Sequence, residues 1–203
     1  MAFSENDTQK EYFDETFEEI DVAQKEISSK MFEQCTFIRC DFSEAYFQKC
    51  RFCDCEFIHC NLSVMKIKGC TFSHVEFTES KIIGVNWTEV TWPQIKLTCP
   101  IHFIKCDLSH SVFLGLNLQE IEIIECHVHD VDFREADLTK ANLTYSDFHE
   151  SLFGQSNLTG ADFTYAENYS IDVTINKISR AKFMLPEAAS LLCGLDIELV
   201  DSN

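Results

Sequence analysis

The sequence is poor in glycine, proline and basic residues: 6 Gly, 3 Pro and 16 Lys plus Arg in 203 residues. Its glycines form no phosphate-cradling loop, and no nucleophile elbow or zinc-helix motif is present. Sixteen bases face 34 acids, for a formal net charge of −18. That shortage of positive charge argues against direct binding to nucleic acid or to an anionic membrane, both of which need a basic patch. It leaves room for a basic partner. Eleven cysteines are too few for a small disulfide scaffold. No apolar run approaches a membrane span, and the acidic first 21 residues are unlike a secretory signal. A reducing cytoplasm is the expected compartment. With 45% apolar residues, the chain can build a core as one domain with small extensions.

What the sequence has in excess is phenylalanine, 18 residues, and they recur with a period of five. Every fifth residue from Phe17 to Leu97 is apolar, including Phe32, Phe37, Phe42, Phe47, Phe52 and Phe57. The frame then slips by one residue and runs unbroken from Phe103 to Phe163. Fifteen of the 18 Phe fall in this series, so the pattern is not an accident of composition. Five matches neither the α-helical period of 3.6 nor the strand period of 2. It fits a chain that turns a corner every five residues. Two positions before most centres stands a second small or apolar residue, such as Cys35, Ala45, Val75 or Ser146. Residues two apart in an extended segment face the same side, so one large and one small side chain point inward and the others face water. A pentapeptide buries too little alone, so neighbours must stack as a solenoid.

Segments such as Ala136-Asp137-Leu138-Thr139-Lys140 and Ala161-Asp162-Phe163-Thr164-Tyr165 resemble the A(D/N)LXX motif of pentapeptide-repeat proteins. The resemblance implies an all-β solenoid: a right-handed quadrilateral β-helix with four pentapeptides per coil, about seven coils, and a short C-terminal helical cap. The expected organisation is an acidic extension over 1–15, the β-helix over 16–170 with the frame slip at 98–102, and a cap over 171–203. Pro100, lacking an N–H, suits a bulge or loop at the slip.

Eight cysteines (35, 40, 50, 55, 60, 70, 106 and 126) occupy the small inward position. There free Cys serves as a small hydrophobe rather than a metal ligand. In Cys126-His127-Val128-His129 the cysteine points inward and both histidines outward, so the three cannot share an ion. No metal site, cofactor or catalytic residue is assigned, because carboxylates on a regular solenoid form columns rather than a pocket.

The charge is uneven. Residues 34–96 hold 7 acids and 7 bases, whereas residues 97–172 hold 13 acids and 3 bases. With twenty residues per coil, Asp130 should lie beneath Glu150, and Asp107, His127 and Asp147 should form a column. Stacked like charges are destabilising, which points to a benefit from a binding partner, with solubility as the alternative. The candidate surface is Asp107, Glu120, Glu122, Glu125, Asp130, Asp132, Glu135, Asp137, Asp147, Glu150 and Asp162. Aspartates just before a centre also have a structural role in the repeat. Those two residues after a centre (Glu120, Glu125, Asp130, Glu135, Glu150) lack that role and are the stronger candidates.

Beyond Phe163 the frame fails at Asn168. Pro186 and Glu187 suit a helix's first turn, and Gly194 its end. Leu195 to Val200 alternates as a short strand. The tail Pro186-Glu187-Ala188-Ala189-Ser190-Leu191-Leu192-Cys193-Gly194-Leu195 resembles the end of Qnr-like and McbG-like pentapeptide-repeat proteins. That resemblance implies a homodimer joined through the C-terminal segment, here Phe183, Leu185, Ala188, Leu191, Leu192 and Leu195. It also implies an acidic surface that imitates DNA and engages DNA gyrase or topoisomerase IV, protecting them from quinolones or peptide toxins. The alternative is a non-enzymatic interaction scaffold or effector with another partner.

Overall fold

The computed structural model describes residues 8–92, 99–195, 197 and 200. Each pentapeptide makes one straight side and one corner. In the side Thr36–Ile38 only the central Phe37 is fully buried. Two residues after the centre, the chain turns with a φ of 48–72°. Glycine takes this corner only at Gly69, Gly84, Gly115 and Gly160; elsewhere residues such as Glu44, His59 and Val64 hold it. A Cβ makes this backbone region costly, so the shortage of glycine leaves strain at most corners. Hydrogen bonds along the rod hold it in place. The corner N–H of Gln34 donates to the Cys53 carbonyl and that of Lys140 to the Thr159 carbonyl, both at 2.9 Å.

Four such sides close one coil, and the coils stack as a right-handed quadrilateral β-helix of about eight turns. Strand pairs are parallel and lie twenty residues apart, as in Phe17↔Phe37↔Phe57↔Phe77. The inward rings of this ladder stack at centroid distances of 5.1, 4.6 and 4.9 Å. Edge-to-face contacts with the neighbouring ladder, such as Phe32–Phe37 at 5.4 Å, fill the interior.

The small inward residues do more than fill space. The Cys55 thiol donates to the carbonyls of Phe32 and Cys53, at 3.4 and 3.3 Å. Ser80 Oγ donates to the carbonyls of Phe57 and Thr78 and accepts the N–H of Cys60. These side chains satisfy backbone groups that the corners take out of the strand ladder. Cysteine here is therefore a weak hydrogen-bonding corner residue as well as a small hydrophobe.

The winding extends further at both ends than the repeat count predicted, which is why about eight coils replace seven. At the N-terminal end, Glu11–Phe13 pairs with Met31–Glu33. Tyr12 is buried and stacks on Phe32 at 5.0 Å, so residues 11–15 belong to the first coil. At the C-terminal end, Asp162–Phe163 pairs with Lys182–Phe183. Asn168 is exposed at a φ of 56°, and Tyr169 takes the interior place beside Phe163 and Phe183. The frame break at 168 is thus a local one-residue shift, and the winding continues to Phe183.

At the central slip the register changes from 20 to 26 residues, with Val75 opposite Ile101 and Phe77 opposite Phe103. The Phe77–Phe103 stack survives at 5.2 Å. Leu97 lies outside the described residues, and Trp92 is only partly buried, its Nε1 donating to the Trp87 carbonyl at 3.0 Å. The cap is a 3-10 helix over Glu187–Gly194 with no fully buried residue. Part of the predicted strand at its end (196, 198 and 199) lies outside the described residues; Leu195, Ile197 and Val200 are not in a strand. Among the described residues, no helix is long and apolar enough to cross a membrane.

Candidate functional site

The predicted acidic surface divides by position in the repeat. Aspartates just before a centre bind their own corner. Oδ1 of Asp107, Asp132, Asp137, Asp147 and Asp162 accepts the N–H two residues on, at 3.0–3.1 Å. This is the structural role expected of the repeat. Several gain further partners. Arg134 chelates Asp132 at 2.9 and 2.8 Å, and its hydrogen bonds hold that carboxyl below the usual carboxylate range. Burial pushes the Asp162 carboxyl up, but Lys182 (2.6 Å) and Thr164 outweigh it and keep it ionised. Burial likewise raises Asp137, and Thr139 and Gln119 reverse it.

The corner carboxylates are exposed, as predicted, but most have a basic neighbour. Glu120 meets Lys140 at 3.2 Å, Glu125 lies 3.9 Å from Lys105, Asp130 3.6 Å from His110, and Glu150 3.8 Å from His149. Glu135 is exposed on a separate corner. His102 Nδ1 accepts the backbone N–H of Glu122 at 3.1 Å, so the Glu122 carboxylate 4.0 Å away gains no ion pair from that nitrogen. The twenty-residue ladder puts Glu150 above Asp130 and links Asp107, His127 and Asp147, as the sequence predicts. The remaining acids are spread over four faces rather than gathered on one.

The predicted dimer residues also separate. Phe183 stacks on Phe163 at 5.0 Å, and with Leu191 it packs against the core, so these two close the last coil. Ala188 is half-buried. Leu185, Leu192 and Leu195 are exposed, together with Met184. Next to them, Tyr145 and Tyr165 stack at 4.7 Å while half exposed, and Tyr165 lines a shallow cleft with Leu185. This apolar corner is invisible to a reading by pentapeptide, but residues 145, 165 and 185 share the coil spacing.

The buried thiols divide into pairs one coil apart: hydrogen bonds from Cys55, Cys60, Cys70 and Cys126 lower Cys35, Cys40, Cys50 and Cys106, outweighing burial. Neighbouring thiols and burial push Cys55, Cys60 and Cys70 above their ordinary range, away from the nucleophilic thiolate. A second group missed from sequence is His127, His129 and Asp147, whose side-chain donor atoms lie within 4.8 Å of one another. The inward turn of Cys126 holds, but the third neighbour of the two histidines is the carboxylate one coil on. The same column of 127 and 147 was the available signal.

The family model of the pentapeptide repeat region matches residues 30–99 and 85–163. A search of curated proteins finds no match. Among solved structures, the chain is similar to a trypsin-treated variant of QnrB1, a plasmid-mediated fluoroquinolone resistance protein. The TM-score is 0.58 at 17% identity, covering 99% of this chain and 100% of that one. A second trypsin-treated QnrB1 variant gives 0.56 at 15% identity, covering 94% and 100%. HetL, a pentapeptide-repeat protein involved in heterocyst differentiation regulation in Nostoc sp. strain PCC 7120, gives 0.41 at 16% identity, covering 86% and 73%. For the two QnrB1 variants, at these identities, the likeness is one of fold.

Proposed function

The chain belongs to the pentapeptide-repeat family, and on that premise we propose that it is a non-enzymatic, homodimeric mimic of DNA. Its partner is DNA gyrase or topoisomerase IV, which it protects from quinolones or peptide toxins, or inhibits. The observation that carries this reading is the placing of 13 acids against 3 bases in residues 97–172, beside an end that exposes Leu185, Leu192 and Leu195. Joining two such ends about a two-fold axis makes one long acidic rod. A topoisomerase presents a basic surface to DNA, and a rod of carboxylates competes for it electrostatically. The tail's resemblance to Qnr-like proteins supports the same reading, as does a fold shared over the full length with a fluoroquinolone resistance protein.

The test is a gyrase supercoiling assay with a quinolone titration. The protein should shift the drug's inhibition or inhibit the enzyme itself. Combined Glu125→Gln, Asp130→Asn, Glu135→Gln and Glu150→Gln should abolish the effect and leave the fold intact; unchanged activity rejects the acidic surface. The pairing of Glu120 and Glu125 with lysines favours a second reading, an interaction scaffold whose partner is not a DNA-binding surface. No effect on supercoiling at any concentration selects that one.

A further inference from the structure

We propose that His127, His129 and Asp147 form a surface site for a divalent transition-metal ion, Zn²⁺ being the ion the donors suit. The inference is independent of the topoisomerase reading. His127 and His129 flank the inward Val128, so both imidazoles project from the same outer face, with ring centroids 5.7 Å apart. Asp147 stands opposite His127 on the next coil, and its Oδ2 lies 2.9 Å from His129 Nε2. The three donor atoms all fall within 4.8 Å of one another. A tetrahedral zinc ion with bonds of about 2.0–2.2 Å needs its donors roughly 3.4 Å apart, which small side-chain rotations supply.

The carboxylate is already aimed. Asn168 Nδ2 and the backbone N–H of His149 both donate to Asp147 Oδ1, at 2.8 and 3.1 Å. Oδ2 is thereby left turned toward the histidines, the supporting arrangement that metal ligands characteristically have. Two neutral imidazoles and one carboxylate suit Zn²⁺ better than Mg²⁺ or Ca²⁺, which prefer all-oxygen cages. The fourth position faces solvent and would take water. The ion ties two coils together and adds positive charge to a column that runs Lys81, Asp107, His127, Asp147 and Glu167.

The experiment titrates ZnCl₂, in excess Mg²⁺, into tag-free protein carrying Cys53→Ser and Cys193→Ser, which removes the two cysteines that are not buried. Calorimetry should give one saturable site per chain. His129→Ala or Asp147→Ala should weaken it by about tenfold or more, and Asn168→Ala by about tenfold through the lost support. Histidine ring signals in NMR spectra should shift at His127 and His129, a readout on the unsubstituted site should a variant fail to fold. Absence of saturable binding, shifts confined to other histidines, or unchanged affinity in folded His129→Ala and Asp147→Ala overturns the proposal.

Discussion

Lys140 Nζ lies 3.2 Å from Glu120 Oε1, one coil apart on the same corner. The repeat that stacks like charges thus also stacks opposite ones, and the local net charge is less than a count of acids suggests. Both side chains are more than half exposed, so the pair is worth little to the fold. Lys140→Gln should change stability by less than about 0.5 kcal/mol in urea denaturation. If the acidic coils bind a basic partner, the same variant should tighten that binding at low salt and lose the gain at high salt.

The aromatic ladder carries the stability. Phe77 is fully buried, stacked between Phe57 and Phe103 and edge-on to Trp87. Phe77→Ala should cost about 3–5 kcal/mol through lost burial and the cavity left behind, measured by chemical denaturation. The replacement also interrupts the ladder at mid-rod, so unfolding should become less cooperative.

Val64 holds a corner at a φ of 57° while half exposed. A β-branched residue there is strained, by roughly 1–3 kcal/mol. Glycine loses some of that gain to its greater freedom when unfolded. Val64→Gly should still raise stability by about 1 kcal/mol, seen as a higher thermal midpoint.

Tyr169 is buried, and its hydroxyl has no hydrogen-bond partner among the described residues. Tyr169→Phe keeps the ring packing and removes the orphaned hydroxyl, and should stabilise the fold by roughly 1 kcal/mol. Burial, reinforced by Glu187, also raises the Tyr169 pKa to about 12. The protonated form is therefore favoured in the folded state. Its contribution is fully present below about pH 10 and is lost as the pH rises through about 12. A denaturation series across that range should show this alkaline loss in the parent and a smaller one in the phenylalanine variant.

Leu192 projects from the cap without being buried. If the cap joins two chains, Leu192→Asp should give a folded monomer by light scattering with unchanged circular dichroism. A dimer that persists moves the interface to another surface.

The period of five made the fold legible because every coil repeats the same demand: a large side chain inward, with a small one two residues before it. The same frame, run back from Phe17, reaches Tyr12, yet the acidic setting of residues 1–15 hid that first coil. Asn168 masked the last coil, since one residue of slack lets Tyr169 do the inward work. Charge was legible as a sum but not as a surface. The partners of Glu125 and Asp130 come from the preceding coil, at Lys105 and His110, and can be read only once the twenty-residue spacing is applied to every corner. The histidine–aspartate group was hidden for the same reason, because its carboxylate comes from the next coil and not from the chain beside Cys126.

The 26-residue coil has a practical side. Phe77 and Phe103 keep their stack although the chain between them is six residues longer than in its neighbours. The solenoid therefore measures its coils by the rings it encloses and not by the length of chain between them. A peptide carrying a fluorophore or an affinity handle should accordingly be tolerated within a coil, provided the rings stacked across that coil stay in contact as Phe77 and Phe103 do.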